Sequence, residues 1–231
     1  MSVEEVIYKR IKELEKEDKI KKRKQNICNT RLEVLGLYSK ETDTLIKEFK
    51  NENFPILKNR NCYELVFIYI SINLKQLKNL AEQMFFLKNN VDIIESWATT
   101  DSTYQLLKIK NFEDCLNFYN EFSSIDNEMM IRYAYLSFFK FKDKKEYVDQ
   151  IFECMNDSKY YYVKMVEAWL LSFIYINFPK ETYDFLENSK ISEEIKIKAI
   201  SKICDSYRID KEEKEKVKEL RKRLREGEQH E

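Results

Sequence analysis

The chain has 231 residues, with 41 Lys and Arg against 41 Asp and Glu, one His, five Cys, and only two Gly and two Pro. Gly and Pro together fill roughly a tenth of an ordinary sequence. The turns of sandwiches, barrels and doubly wound sheets, like the Gly-rich loops that cradle phosphates, depend on them, so those architectures are disfavoured. What remains is an all-α protein joined by short polar corners, and 43% hydrophobic residues suffice to bury its core.

In residues 3–25, Val6, Ile7, Ile11, Leu14 and Ile20 keep a helical spacing among charges, which predicts one amphipathic helix or two short ones. Gly36 suits a corner. Ser39-Lys-Glu-Thr-Asp43 ahead of Leu45, Ile46 and Phe49 reads as a capped helix start, ended by the stretch Asn51 to Pro55. Helices are expected over 61–74, 77–87 and 93–108, then over 112–122, 127–141, 145–155, 160–177, 179–188, 192–207 and 211–225. The last of these is rich in ion pairs four residues apart, as in a terminal helix with a solvated face.

The apolar runs 65–74 and 168–178 are shorter than the ~18 to 20 residues of a membrane span, and Glu64 and Glu167 flank them. Met1-Ser-Val-Glu-Glu5 lacks the basic-then-apolar layout of a signal peptide, so a cytoplasmic protein without membrane contact is expected. Cys28, Cys62, Cys115, Cys154 and Cys204 show no CxxC spacing and read as reduced, small core residues. A single domain over 1–226 with a disordered tail at 227–231 is expected.

Paired amphipathic helices of this kind suggest an α-solenoid of HEAT type with a concave groove. Trp97, Arg132 and Trp169 follow one another at 35 residues (97 to 132) and 37 residues (132 to 169). That is close to one two-helix repeat of roughly 35 to 45 residues, so the three side chains are expected on one side of the stack.

Trp97-Ala-Thr-Thr-Asp101 sets an indole and a carboxylate one helical turn apart, hence on one face. Taken singly, a helical Trp is most often core and an Asp one turn on is most often a cap or a surface ion-pair partner. Arg132 sits among apolar neighbours, where a charge must reach solvent or meet an anion. Trp169 follows a Tyr-rich helix start and is equally at home in a core.

Together, the order W-x-x-x-D, then Arg, then Trp resembles the HEAT-like-repeat alkylpurine DNA glycosylases, the DNA alkylation repair enzymes of AlkD type. The resemblance runs over 19–224 and is carried by Leu35-Gly36, Glu64-Leu65, Ile94-Glu-Ser-Trp-Ala-Thr-Thr-Asp101, Arg132-Tyr-Ala134, Tyr161-Tyr-Val-Lys-Met-Val-Glu-Ala-Trp-Leu-Leu-Ser172 and Lys198-Ala-Ile-Ser-Lys-Ile-Cys-Asp-Ser-Tyr-Arg-Ile209. It implies hydrolysis of the N-glycosidic bond of cationic 3- or 7-alkylpurines in duplex DNA by a monomer that uses no metal or cofactor. It further implies Asp101 as the catalytic carboxylate, Trp97 and Trp169 as aromatic walls, and Arg132 as a phosphate contact.

The chain also departs from the family. Members commonly read G-V-R-x-P after the Leu-Gly corner, whereas Gly36-Leu-Tyr-Ser-Lys40 puts Tyr38 at the Arg position and Lys40 at the Pro position. The Trp-Ala-x-x-Asp and Ser-Tyr-Arg-Ile wording resembles a branch that keeps the fold, lacks a DNA-inserting N-terminal helix and binds DNA weakly. Duplex affinity comes mainly from neutralising phosphates, so zero net charge predicts weak, salt-sensitive binding. Lys19 to Lys24 and Lys218 to Arg225 are the basic stretches that could offset it. The alternative is an inactive helical-repeat paralogue acting as a weak DNA-binding or protein-interaction module.

Overall fold

The computed structural model describes residues 1–227. Its α-helices are α1 (Val3–Glu13), α2 (Asp18–Cys28), α3 (Ser39–Glu48), α4 (Tyr63–Gln76), α5 (Leu80–Asn89), α6 (Trp97–Thr103), α7 (Phe112–Ser123), α8 (Glu128–Ser137), α9 (Val148–Glu153), α10 (Tyr161–Asn177), α11 (Pro179–Asn188), α12 (Glu193–Asp205) and α13 (Lys211–Gly227). Short 3-10 turns cover Val91–Ile93, Tyr104–Leu106, Phe138–Lys140 and Lys145–Tyr147. Apart from one isolated bridge between Glu33 and Cys62, no strand occurs among the described residues, so the chain is all-α. Of the expected tail, Gly227 closes α13, and the rest, with His230, lies outside the described residues. None of the described helices is long and apolar enough to cross a membrane.

The chain forms two compact units, Met1–Lys110 and the part that begins at Asn111. In the first, α4 is apolar on nearly every side: Leu65, Val66, Ile68, Ile70, Ile72 and Leu74 are all buried, the mark of a central helix. Helices α1, α3 and α6 pack on it. The two short helices expected near the start are α1 and α2. α1 opens with a capping box, Ser2 Oγ accepting the Glu5 N–H while the Glu5 carboxylate accepts the Ser2 N–H, and it buries Ile7 and Ile11. α2 ends at Cys28, beyond the expected 25, because Asn29 takes a left-handed φ of 45° and stops it.

The corner at Gly36 is built around a buried acid. Glu64, wholly inaccessible on α4, accepts the N–H groups of Leu35 (2.9 Å), Gly36 (2.9 Å) and Leu37 (3.2 Å) and pairs with Lys24 Nζ at 3.0 Å. A buried carboxylate persists when donors and a counter-charge replace its water. Gly36 has φ +86°, and a Cβ there would lie 3.0 Å from Lys16 Cβ, so this glycine is required by both backbone and space.

Three expected helices are broken by local chemistry. Residues 93–108 split because Ser96 is extended and its Oγ accepts the Ala98 N–H, which starts α6 at Trp97. Residues 127–141 leave α-geometry after Ser137, and 145–155 begins as a 3-10 turn.

In the second unit, α7 packs on α8, α8 on α10, α10 on α11 and α12, and α12 on α13. Every second helix, α8, α10 and α12, thus stacks on the next, with Phe118, Phe122, Tyr133, Phe138, Leu170 and Ile200 in the core. α13 buries only Val217 and Leu220 of its apolar residues and is laced with pairs such as Lys216–Glu213 (2.6 Å) and Lys218–Glu215 (2.7 Å), a terminal helix with one solvated side. All five cysteines are free: Cys28, Cys62 and Cys115 are buried, and Cys154 and Cys204 half-buried.

Candidate functional site

In the first unit, α6 carries Trp97 and Asp101 one turn apart, both half-buried. Its inner side is made of threonines. Thr99, Thr100 and Thr103 are buried, and their hydroxyls turn back on the helix, Thr103 Oγ donating to the Thr99 carbonyl (2.7 Å) and Thr100 Oγ to the Trp97 carbonyl (2.8 Å). Thr100 Oγ also lies 3.3 Å from Asp101 Oδ1. Ala98 packs on a small cluster of Cys28, Val34 and Tyr63.

Three hydrogen-bonding groups then tie α6 and its approach to the end of α2 and the segment that follows it. Trp97 donates its indole N–H to the Ile27 carbonyl at 3.0 Å, and Ser96 Oγ donates to the Cys28 carbonyl at 2.7 Å. These carbonyls belong to the last turn of α2, which lacks intrahelical partners. Glu95 accepts from Thr30 Oγ (2.6 Å), the Arg31 N–H (2.7 Å) and the Leu32 N–H (3.1 Å), and its other oxygen lies 3.3 Å from the Arg31 guanidinium. Burial by itself would raise the Glu95 carboxyl, but these donors outweigh it and hold it below the ordinary carboxylate range. The indole is thereby fixed at its polar edge before any ligand arrives. Tyr38, at the position where the resemblance expects Arg, is exposed, with Lys16 Nζ 5.1 Å from its ring centre. On α2, Lys21 and Lys24 are held by Glu15 and Glu64, whereas Lys19, Lys22 and Arg23 are exposed.

In the second unit, Arg132 on α8 differs from expectation. It does not reach solvent: it is 4% exposed, and its Nη1 donates to the Tyr162 carbonyl at 2.5 Å. Glu128, one turn earlier on α8, accepts the Tyr162 N–H at 2.6 Å. One face of α8 therefore grips both backbone groups of the second residue of α10. A guanidinium this buried is retained where fixed acceptors replace water, and here a main-chain carbonyl is one of them.

Trp169 lies two turns further along α10, half-buried. Phe139 packs against it at 4.6 Å between ring centres and Phe173 meets it edge-on at 5.7 Å. Two residues before it, Glu167 is wholly buried and accepts the Asn156 N–H at 3.2 Å. Burial pushes its carboxyl up to about 8, against the opposing pull of hydrogen bonds from the Tyr135 hydroxyl and the Asn156 N–H.

The structure thus sets Trp97 beside Asp101 in the first unit and links Arg132 to the helix of Trp169 in the second. Sequence reasoning missed Glu95, Glu128 and Glu167, which hold backbone N–H groups of neighbouring segments around these helices. The available signal was an acid inside an apolar stretch, as in Ile93-Ile-Glu95 and Val166-Glu-Ala168. Among the described residues no three His, Cys, Asp or Glu side chains converge as metal ligands.

No curated protein matches the chain. Among solved structures, a predicted DNA alkylation repair enzyme from Enterococcus faecalis is similar in fold, with a TM-score of 0.66 at 13% identity over 80% of this chain and 95% of that one. The family profile described as DNA alkylation repair enzyme matches residues 7–203. With that match spanning most of its length, the chain belongs to the DNA alkylation repair enzyme family.

Proposed function

We propose that the protein is a DNA glycosylase that hydrolyses the N-glycosidic bond of cationic 3- or 7-alkylated purines in duplex DNA, with Asp101 as the catalytic carboxylate. The observation that carries this reading is the pairing on α6: a carboxylate one turn from an indole whose N–H is already committed to Ile27. In the reaction the C1′–N bond breaks and its electron pair returns to the alkylpurine, neutralising the ring. The deoxyribose gains positive charge at C1′, and water then attacks that carbon. A fixed carboxylate stabilises such charge because it is oriented before the reaction begins, and it can hold the attacking water and accept its proton. Indole faces favour the cationic substrate by ~0.5 to 2 kcal/mol each, the role assigned to Trp97 and Trp169.

Arg132, the remaining residue of the set, fits a positioning role better than direct phosphate contact, since its guanidinium holds the start of α10. Phosphate contacts then fall to exposed cations such as Lys19, Lys22 and Arg23. The resemblance reads residues 1–226 as a single domain of HEAT-like repeats, and the α8, α10, α12 stacking inside the second unit supports the repeat part of that reading. A monomer in the cytoplasm suits a chain whose five cysteines are all unpaired.

A second reading, a non-catalytic module binding DNA weakly or a protein partner, draws on the balance of 41 basic and 41 acidic residues and on the burial of Arg132. One experiment separates the two. Methylated duplex DNA incubated with the protein should yield abasic sites faster than spontaneous depurination, and Asp101→Asn should slow this by at least roughly a hundredfold. Release no faster than the spontaneous rate would leave the binding module as the function.

A further inference from the structure

Within the second unit a cleft of about 350 Å³ opens between α10, α12 and the turn Ser206 to Arg208. Trp169, Ser172 and Phe173 form one wall, and Lys202, Tyr207 and Arg208 reach it from the other. The Arg208 guanidinium lies 5.9 Å from the Phe173 ring centre and 5.8 Å from that of Tyr207. Lys142 Nζ stands 6.0 Å from the Phe173 ring centre. Asp205 is the one carboxylate among the lining residues, so the cleft carries a positive excess.

Two features single this place out. Tyr207 is 89% exposed, the most exposed large aromatic among the described residues, and a ring left in water at the mouth of a cleft is a surface awaiting a flat partner. Its turn is nevertheless ordered locally, because Ser206 Oγ accepts the Arg208 N–H at 3.2 Å. Opposite it, Trp169 is backed by Phe139 and cannot retreat into the core. Aromatic planes with cations beside them match a planar ring joined to an anion, the composition of single-strand nucleic-acid platforms. The volume lies near the lower end of the ~300 to 1,000 Å³ of small-molecule sites, room for one nucleotide rather than a duplex.

We infer that this cleft is a subsite for one unpaired nucleotide of a DNA strand, its base stacked between Tyr207 and Trp169 and its phosphate held by Arg208 and Lys202. A paired base has both faces covered by its neighbours, so only an unstacked nucleotide offers the ring this cleft receives. The subsite rests on the DNA reading above, shares Trp169 with it, and adds a single-strand contact through Tyr207, Arg208 and Lys202.

The test uses the full chain carrying Trp97→Phe, which leaves Trp169 as the only indole. A pentathymidylate strand should quench its fluorescence saturably. Tyr207→Ala and Arg208→Ala, both at exposed positions, should each weaken binding by roughly tenfold. Arg208→Ala should also lower the slope of log affinity against log salt by about 0.7, the share of one single-strand phosphate, and Tyr207→Ala should leave that slope unchanged. Absence of quenching, or an affinity unchanged from the Trp97→Phe parent in both variants, overturns the subsite. Equal quenching by inorganic phosphate alone also overturns it, since the site would then read an anion without a base. Excision from methylated duplex by the wild-type protein is measured alongside. Strand binding without excision refutes the glycosylase reading and leaves the subsite standing, whereas excision without any Trp169 response refutes the subsite alone.

Discussion

Arg132 donates to the carbonyl of Tyr162 at 2.5 Å while Glu128, one turn away, accepts the Tyr162 N–H at 2.6 Å, so a side-chain pair on α8 defines where α10 begins. The arginine to which the resemblance gives a phosphate contact holds the first turn of α10 in this chain. Because Trp169 lies seven residues beyond Tyr162 on the same rigid helix, any displacement of that start is passed to the indole.

Arg132→Met is therefore expected to cost about 1 to 3 kcal/mol in urea unfolding, the penalty for leaving the Tyr162 carbonyl without its buried cationic donor. Its duplex affinity should fall without change in salt dependence. A direct phosphate contact would instead reduce the slope of log affinity against log salt by about 1, and a salt titration of wild type and variant reads the difference.

Glu167 makes stability depend on pH in an unusual direction. Its carboxyl is raised from an ordinary 4.5 to about 8 in the folded state, first by burial. The unfolded chain therefore releases this proton near 4.5 and the folded chain only near 8. Between those values the unfolded state binds fewer protons, so this group's contribution to stability falls as pH rises and levels off above 8. Glu167→Gln removes the titration while keeping an acceptor for the Asn156 N–H. Thermal melts should show little difference from wild type near pH 4.5 and a stabilised variant above pH 8, by an amount on the order of a few kcal/mol. A gap that stays constant across this range would contradict the assignment.

The corner at Gly36 joins α2, α4 and the approach to α3. Glu64→Ala leaves three N–H groups without their acceptor and Lys24 without its counter-charge, and about 3 to 5 kcal/mol should be lost in denaturant unfolding. Gly36→Ala, forced into φ +86° against Lys16, should lose about 1 to 2 kcal/mol. A variant with an unchanged midpoint would show that the corner rearranges freely.

Trp97 and Asp101 on one helical turn, the all-α class, the corner at Gly36 and most helix positions were legible in the sequence. Each follows from spacing and from which residues tolerate which backbone, properties that act over a few neighbours. The breaks at Ser96 and Ser137 were less legible, since a serine inside an apolar-periodic stretch starts a helix, ends one or stays within it depending on what its hydroxyl reaches.

What only the tertiary structure decided was the environment of the charged groups. Nothing local distinguishes an arginine that meets a phosphate from one that meets the Tyr162 carbonyl, because the partner lies 30 residues away. The same holds for Glu64 with 35–37, Glu95 with 30–32, and Trp97 with Ile27 at a separation of 70. The even balance of 41 basic and 41 acidic residues is a sum over the whole chain, and the sum is blind to position. Folding sorts those charges, placing Lys24 against Glu64 and leaving Arg208 beside two aromatic rings, because burial penalises an unpaired charge while the surface tolerates one.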